Sequence, residues 1–169
     1  MDANSLLDYL SQYGIVFIFI IILLEYLNLP GLPAGIIMPV AGLWVSRGNM
    51  NFLIVVILSV VAGLIGSWCL YFLGFYGGNF LLEKYTTKFP KQKQYIENKL
   101  EYLRSKGDKG VFISRLIPVA RTIIAIPAGV LKMNFLKFTV YSAMGIFIWN
   151  IVFISVGYIL GEGILKYIT

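Results

Sequence analysis

One apolar run of this sequence, GVFISRLIPVARTIIAIPAGV from Gly110 to Val130, contains two arginines and two prolines. A guanidinium at the centre of a bilayer costs about 2.5 to 3.5 kcal/mol, so Arg115 and Arg121 would each need a partner or a water-filled cavity. Pro118 and Pro127 each lack a helix hydrogen-bond donor, and the residue before a proline avoids the helical conformation. The run therefore predicts a broken segment instead of one straight helix, and it is the candidate functional site.

The composition predicts an integral membrane protein. Of the 169 residues, 59% are hydrophobic and 13% are charged, and the mean hydropathy is +0.82, which is too apolar for a soluble domain of this size. The chain has no histidine, which excludes histidine metal sites and Ser-His-Asp triads, and its one cysteine cannot form an internal disulfide. We therefore expect no metal, no cofactor, no catalytic residues and no nucleic-acid partner.

The lengths of the apolar segments predict how they lie in the membrane. About 20 helical residues cross the roughly 30 Å of hydrocarbon, and Phe52–Tyr76 and Phe138–Leu160 are long enough to do so. Tyr13–Leu24 and Ala34–Val45 have 12 residues each, which make only about 18 Å of helix. We expect these two legs to form one re-entrant hairpin and residues 111–130 to form a second. The residues expected to shape the hairpins are Pro30, Pro33 and Gly35 in the first and Pro118, Pro127 and Gly129 in the second.

The placement of charge predicts the topology. Residues 81–109 hold eight of the fourteen lysines and arginines, which marks this connector as cytoplasmic under the positive-inside rule. With both broken segments re-entrant, Lys132 and Lys137 also lie on the cytoplasmic side. If residues 111–130 crossed the membrane fully, these two lysines would be external, which agrees less well with the rule. Three apolar residues at helical spacing predict an amphipathic helix within the connector: Ile96, Leu100 and Leu103.

The sequence contains an internal repeat. At a shift of 83 positions, Met50–Leu53 is identical to Met133–Leu136, and further upstream Leu32–Ile36 is similar to Ile126–Val130. Each copy would be a hairpin followed by a spanning helix, and a cytoplasmic connector between the copies makes them inverted repeats, an architecture of secondary transporters. We expect one membrane domain, 1–169, with repeat one at about 13–78, the connector at 81–109 and repeat two at about 111–163. Two GxxxG pairs favour close helix packing and, with it, a homodimer. They are Gly74 with Gly78 and Gly157 with Gly161.

Arg115 and Arg121 are the candidate substrate-binding residues. A bend at Pro118 would bring both into one cavity, where two planar guanidinium groups match the oxygens of a phosphate. Alternatively, they pair with Glu25 or with backbone carbonyls and hold the hairpins together. Glu25 is the one acid in the apolar part of the first hairpin, and it could exchange a proton, gate transport, or form a permanent salt bridge to an arginine.

Several short motifs of this chain occur together in one known family of membrane proteins. They are Glu25 ahead of a proline-rich turn, RLIPVAR from Arg115, AGVLKM from Ala128 followed by Phe138, GIFIWN from Gly145, and GYILG from Gly157. In these motifs the chain resembles the DedA family, also described as the VTT or SNARE-associated membrane domain family. The resemblance extends from about Ile15 to Gly161, and RLIPVAR is its most distinctive part. Many members carry a second acid where this chain reads Pro33-Ala34-Gly35 and has none.

The resemblance implies lipid transport across the bacterial cytoplasmic membrane through two opposed re-entrant hairpins. The implied substrates are undecaprenyl phosphate, returned across the bilayer for recycling of cell-wall precursors, and phosphatidylethanolamine. The compact phosphate head of the first suits two arginines better. Without a second acid, Glu25 would couple protons or cations alone, or transport would follow the lipid gradient.

Two other classes of function stay open at this point. One is an ion channel or a scaffold that affects the membrane potential. The other is an intramembrane phosphatase or phosphotransferase, which needs a nucleophile and a base. The hairpins supply the hydroxyls of Ser114 and Thr122 but no histidine and no carboxylate cluster, so we expect the chain not to be an enzyme.

Overall fold

A computed structural model describes the backbone of residues 3–27, 35–46, 51–88 and 90–168. Within these ranges the chain forms helices and no strand. The helices belong to two compact units, of which the first comprises residues 1–63 and 147–169 and the second comprises residues 64–146. The helices are α1 (Ala3–Tyr26), α2 (Ile37–Ser46), α3 (Phe52–Lys88), α4 (Pro90–Lys106), α5 (Asp108–Arg115), α6 (Pro118–Ile123), α7 (Ala125–Val130) and α8 (Phe135–Ile168).

Two of these helices are long and apolar enough to cross a membrane. The apolar stretch of α3 is Phe52–Gly78 and that of α8 is Phe135–Gly161, each 27 residues long with mean hydropathies of 2.6 and 2.0. α3 is kinked at Gly78, whose φ of 48° and ψ of −141° only glycine adopts readily. The two stretches contain the spans predicted from the sequence, and the chain is a helical membrane protein.

In the first unit, α1 and α2 pack against each other as the two legs expected from the sequence. The apolar part of α1, Gly14–Tyr26, corresponds to the predicted leg Tyr13–Leu24. The helix extends back to Ala3, because neither proline nor glycine interrupts the polar residues ahead of this part. α2 has 10 residues, which is about half of what a membrane crossing needs. Each leg thus has a short apolar part, as predicted.

Backbone contacts at glycine hold α2 against the end of α8 within the first unit. A Cβ at Gly42 of α2 would collide with backbone atoms of Ile154 and Tyr158. A Cβ at Gly157 of α8 would collide with the backbone of Pro39. Because neither position has room for a side chain, the two helices approach to backbone contact, which is the use of small residues in membrane helix packing.

A buried polar network joins three helices of the first unit. The Tyr26 hydroxyl of α1 donates to Asn150 Oδ1 of α8 at 2.9 Å, and Asn150 Nδ2 donates to Ser59 Oγ of α3 at 3.0 Å. All three residues are buried, and Ser59 Oγ itself donates to the Val56 carbonyl. The network fixes the last turn of α1 against the long helices.

Replacing Tyr26 by phenylalanine is expected to lower the free energy of unfolding by about 0.6 to 1.7 kcal/mol, from the average to the maximum found for hydrogen bonds between helices of a membrane protein. The bond to Asn150 is lost while the ring is kept. A double-mutant cycle with Asn150→Leu, in which each variant is unfolded in mixed micelles, isolates the coupling energy between Tyr26 and Asn150. Tyr76→Phe is the matched control, since the Tyr76 side chain is exposed. A coupling energy of zero would show that the network does not stabilise the unit.

The second unit has its own apolar core, built where α4, α5 and α7 meet α3 and α8. Leu103 of α4 is buried there, so at this position the connector helix packs into protein. Glycines again allow backbone contact, because a Cβ at Gly129 of α7 would collide with the backbone of Tyr71 and Phe75 of α3. The buried core residues are Tyr71, Leu103, Val111, Ile124, Ala125, Ala128 and Phe138.

The two units repeat the same packing contacts in a constant register. Gly42 packs on the backbone of Ile154 in the first unit, and Gly129 packs on that of Tyr71 in the second. Ile154 and Tyr71 are 83 positions apart, which is the shift found for the long helices, whereas the two glycines are 87 positions apart. Packing therefore places Ala41-Gly42 on Ala128-Gly129. The similarity of Leu32–Ile36 to Ile126–Val130 stays a prediction, since residues 32–34 lie outside the described residues.

Candidate functional site

Arg115 lies at the centre of a buried polar site in the second unit. Its side chain is 2% exposed, and it is the last residue of α5. Nη1 donates to the carbonyl oxygen of Arg121 at 2.8 Å, and Nη2 donates to Ser142 Oγ of α8 at 3.2 Å. The guanidinium carbon also lies 5.8 Å from the centre of the Phe138 ring, within reach of a cation–π contact.

The break at Pro118 that the sequence predicts brings the two arginines together. α5 ends at Arg115, and Ile117 is extended with φ −109° and ψ 123°, the conformation required before a proline. Pro118 then begins α6, where its missing N–H costs nothing. With this break between α5 and α6, the carbonyl of Arg121 lies within hydrogen-bond distance of Arg115.

Pro127 does not break the chain in the way that Pro118 does. It is the third residue of the short helix α7. The N–H groups of the first four residues of a helix have no carbonyl partner within that helix, so the missing N–H of Pro127 breaks no hydrogen bond of α7. Pro127 is buried, and the neighbouring Gly129 makes the close contact to α3 described above. The expected shaping residues of the second hairpin therefore act differently, one as a break and two as packing positions.

The site has room for Arg115 because α8 carries a glycine opposite it. A Cβ at Gly145 would collide with Cβ of Arg115. Arg121, at 1% exposure, and Ser114, at 1%, are buried near this point on α6 and α5. The Ser114 hydroxyl makes no hydrogen bond with any described residue, although burial of an unpaired hydroxyl is costly. Two buried arginines and the buried Ser114 hydroxyl thus lie on α5 and α6, and Arg115 is hydrogen-bonded to the backbone of Arg121.

The candidate residues of the first hairpin lie in the first unit. Glu25 is 2% exposed in the last turn of α1, next to Tyr26 of the polar network. Gly35 is exposed, and a Cβ there would meet no atom within 4 Å. Pro30 and Pro33 lie outside the described residues. A salt bridge between Glu25 and an arginine stays a prediction.

The sequence identifies both arginines but not the residues that contact the Arg115 side chain. Ser142 belongs to none of the motifs described above, and Gly145 belongs only to the motif GIFIWN. Both signals were available, since a serine and a glycine one turn apart on an apolar helix present a hydrogen-bonding group and a gap on one face. The sequence does not show that this face of α8 packs against α5.

Comparison with known proteins assigns the chain to a family. The VTT domain matches residues 32–159, which include Arg115, Arg121, the apolar stretch of α3 and all but the last two residues of the apolar stretch of α8. The chain therefore belongs to the VTT domain family, the DedA family, as its motifs indicated. No solved structure matches it significantly.

Its relatives include proteins with transporter names. The chain is 34% identical to undecaprenyl phosphate transporter A of Bacillus subtilis over 159 residues, which cover 94% of this chain and 78% of the relative. It is also 34% identical to undecaprenyl phosphate transporter A of Staphylococcus aureus, over 92% of this chain and 78% of the relative. An alkaline phosphatase-like protein of Lactococcus lactis subsp. cremoris is more distant, with 26% identity over 93% of this chain and 75% of the relative.

Proposed function

We propose that this protein carries undecaprenyl phosphate across the bacterial cytoplasmic membrane, returning it for recycling of cell-wall precursors. The observation that carries the proposal is the burial of Arg115 and Arg121, at 2% and 1% exposure, in a helical membrane protein. Cations in such surroundings typically mark the path of an ion or substrate. The two transporters at 34% identity support the choice of lipid.

The geometry of Arg115 is suited to holding a phosphate. Nη1 and Nη2 donate to a carbonyl and a hydroxyl, and these two hydrogen bonds orient the guanidinium plane. A guanidinium offers five N–H donors, and a phosphate monoester offers three acceptor oxygens with more than one negative charge. In this proposal the phosphate binds between Arg115 and Arg121 while the hydrocarbon tail stays in the bilayer.

In this proposal the α1–α2 and α5–α7 segments are re-entrant hairpins of one membrane domain, and the connector 81–109 is cytoplasmic. The repeated glycine contacts of the two units support an inverted repeat, in which each hairpin presents the site to one leaflet. Glu25 acts in proton or cation coupling or in gating, and a homodimer is the expected assembly.

The proposal is tested by lipid translocation in proteoliposomes. Wild-type protein is expected to move undecaprenyl phosphate faster than phosphatidylethanolamine, without release of inorganic phosphate and without an ionic current. Transport of phosphatidylethanolamine alone would move the assignment to that lipid. Phosphate release that Ser114→Ala abolishes would show the phosphatase instead, and a current without lipid movement would show a channel.

Arg121→Ala is expected to lower undecaprenyl phosphate transport at least about 30-fold, because loss of a buried charge contact costs about 2 kcal/mol or more. The thermal unfolding temperature in detergent is measured beside it. Arg104→Ala is the matched control, since Arg104 is an exposed arginine of the same unit. Folded Arg121→Ala protein with wild-type transport would contradict the proposed site.

A further inference from the structure

Ser114 carries a buried hydroxyl that the described part of the protein does not pair. The residue is 1% exposed, and its Oγ makes no hydrogen bond to any described residue. Such a hydroxyl has lost its hydrogen bonds to water and has gained none from the protein, which destabilises the folded state. Nearly all buried polar groups in native proteins are paired, so an unpaired one directly before Arg115 calls for a functional explanation.

Three other serines in the helices of this protein bond to their own helix. Ser46, Ser59 and Ser105 each donate to the carbonyl three residues earlier, at 2.7, 2.7 and 2.9 Å. Such a bond back to the preceding turn is the usual one for a serine inside a helix. Ser114 is the seventh residue of α5, so carbonyls of the preceding turn are also within its reach, yet it makes no such bond. Its hydroxyl is therefore left for a partner outside its own helix.

Ser114 lies on the same face of α5 as Arg115. The buried residues of this helix are Gly110, Val111, Ser114 and Arg115, whereas Ile113 is exposed. Positions that repeat after three and four residues form one face of a helix, so these four residues make up its buried face. The Cα atoms of two successive residues are about 3.8 Å apart. The hydroxyl and the guanidinium therefore start from neighbouring points of one buried surface.

We propose that Ser114 donates a hydrogen bond to the phosphate of the transported lipid and makes the site selective for a phosphate monoester. This inference rests on the proposed function. In the state that admits the lipid, Arg115 and Arg121 hold two of the phosphate oxygens and the Ser114 hydroxyl donates to the third. A monoester has three terminal oxygens, whereas the diester of phosphatidylethanolamine has two and would leave the hydroxyl unpaired. A site with a buried polar group discriminates strongly against a ligand that leaves this group unpaired.

Ser114→Ala is the decisive variant, because it should weaken lipid binding without destabilising the protein. Without lipid it loses an unpaired hydroxyl, so the unfolding temperature in detergent is expected to rise. With lipid it loses a donor to a charged group, so the KM for undecaprenyl phosphate in phosphatidylcholine vesicles should rise about tenfold with kcat unchanged. The second probe is the methyl ester of undecaprenyl phosphate, which has the same tail and two terminal oxygens, and its KM should not change. Ser114→Cys keeps a weaker donor and should give an intermediate KM for undecaprenyl phosphate.

Ser105→Ala is the matched control, since it removes an exposed serine hydroxyl from the same unit and should leave both KM values unchanged. Equal increases in KM for both lipids in Ser114→Ala would show a general disturbance of the site and overturn the proposal, as would a wild-type KM for undecaprenyl phosphate. A lower unfolding temperature would show that the protein itself pairs the hydroxyl, and would also overturn it. Wild-type transport by Arg121→Ala would instead contradict the proposed function, whatever Ser114→Ala shows.

Discussion

Arg115→Ala is expected to lower transport of undecaprenyl phosphate by roughly 30-fold to several thousandfold. The guanidinium is lost from a site where it is 2% exposed, and truncation of one partner of a buried charge contact costs about 2 to 5 kcal/mol. The Arg121 carbonyl and the Ser142 hydroxyl also lose their donor. The measurement is lipid translocation in proteoliposomes, together with the unfolding temperature of the same preparation.

Two further variants separate the charge of Arg115 from its structural bonds. Arg115→Lys keeps the charge but cannot donate in two directions with a planar group, so transport should be weak but detectable. Ser142→Ala removes one acceptor and leaves the guanidinium, so it should reduce transport much less than Arg115→Ala does. If Arg115→Ala stays folded and transports at the wild-type rate, Arg115 only holds the hairpin together.

Gly129→Ala is expected to destabilise the protein by about 3 kcal/mol, the upper part of the range for an overpacked core, and to lower Tm by roughly 6 to 12 °C. The added Cβ would collide with backbone atoms of Tyr71 and Phe75, which cannot move away as a flexible side chain can. α7 must therefore separate from α3, and the buried core between them is disturbed. Folded yield after size exclusion and thermal unfolding in detergent are the measurements.

Gly35→Ala is the matched control for the same chemical change. A Cβ at Gly35 would meet no atom within 4 Å, so its Tm should change by less than about 2 °C, as for substitutions away from close contacts. Gly157→Ala should behave like Gly129→Ala, because its Cβ would collide with the backbone of Pro39. An unchanged Tm for both buried variants would mean that the helices are not in backbone contact.

The sequence predicts the spanning helices well and the hairpins less well, for physical reasons. Segment length and hydropathy are local properties, so the limits of Phe52–Gly78 and Phe135–Gly161 follow closely from composition. The effect of a proline depends on where the helix begins, and for this reason Pro118 breaks the chain whereas Pro127 lies inside α7. α1 extends to Ala3, beyond its apolar part, and apolar length alone does not define where a helix ends in polar sequence.

The sequence alone identifies the two arginines of the candidate site but not the residues of α8 that contact Arg115. Two arginines in an apolar run are conspicuous because their burial is so costly. Ser142 and Gly145 are ordinary residues, and they become part of the site only because α8 packs against α5 at that point. Such a pairing depends on contacts across 27 positions of sequence, which no local pattern encodes.

The division of the chain between its two units has a consequence for synthesis at the ribosome. The second unit is one continuous stretch, 64–146, whereas the first is completed only by residues from 147 onward. Gly42 of α2 is made 112 positions before Ile154, on whose backbone it packs. At about 5 to 20 residues per second, that partner follows roughly 6 to 22 s later. α2 is thus made before the part of α8 on which it packs, and it obtains this contact only after the whole second unit has been synthesised.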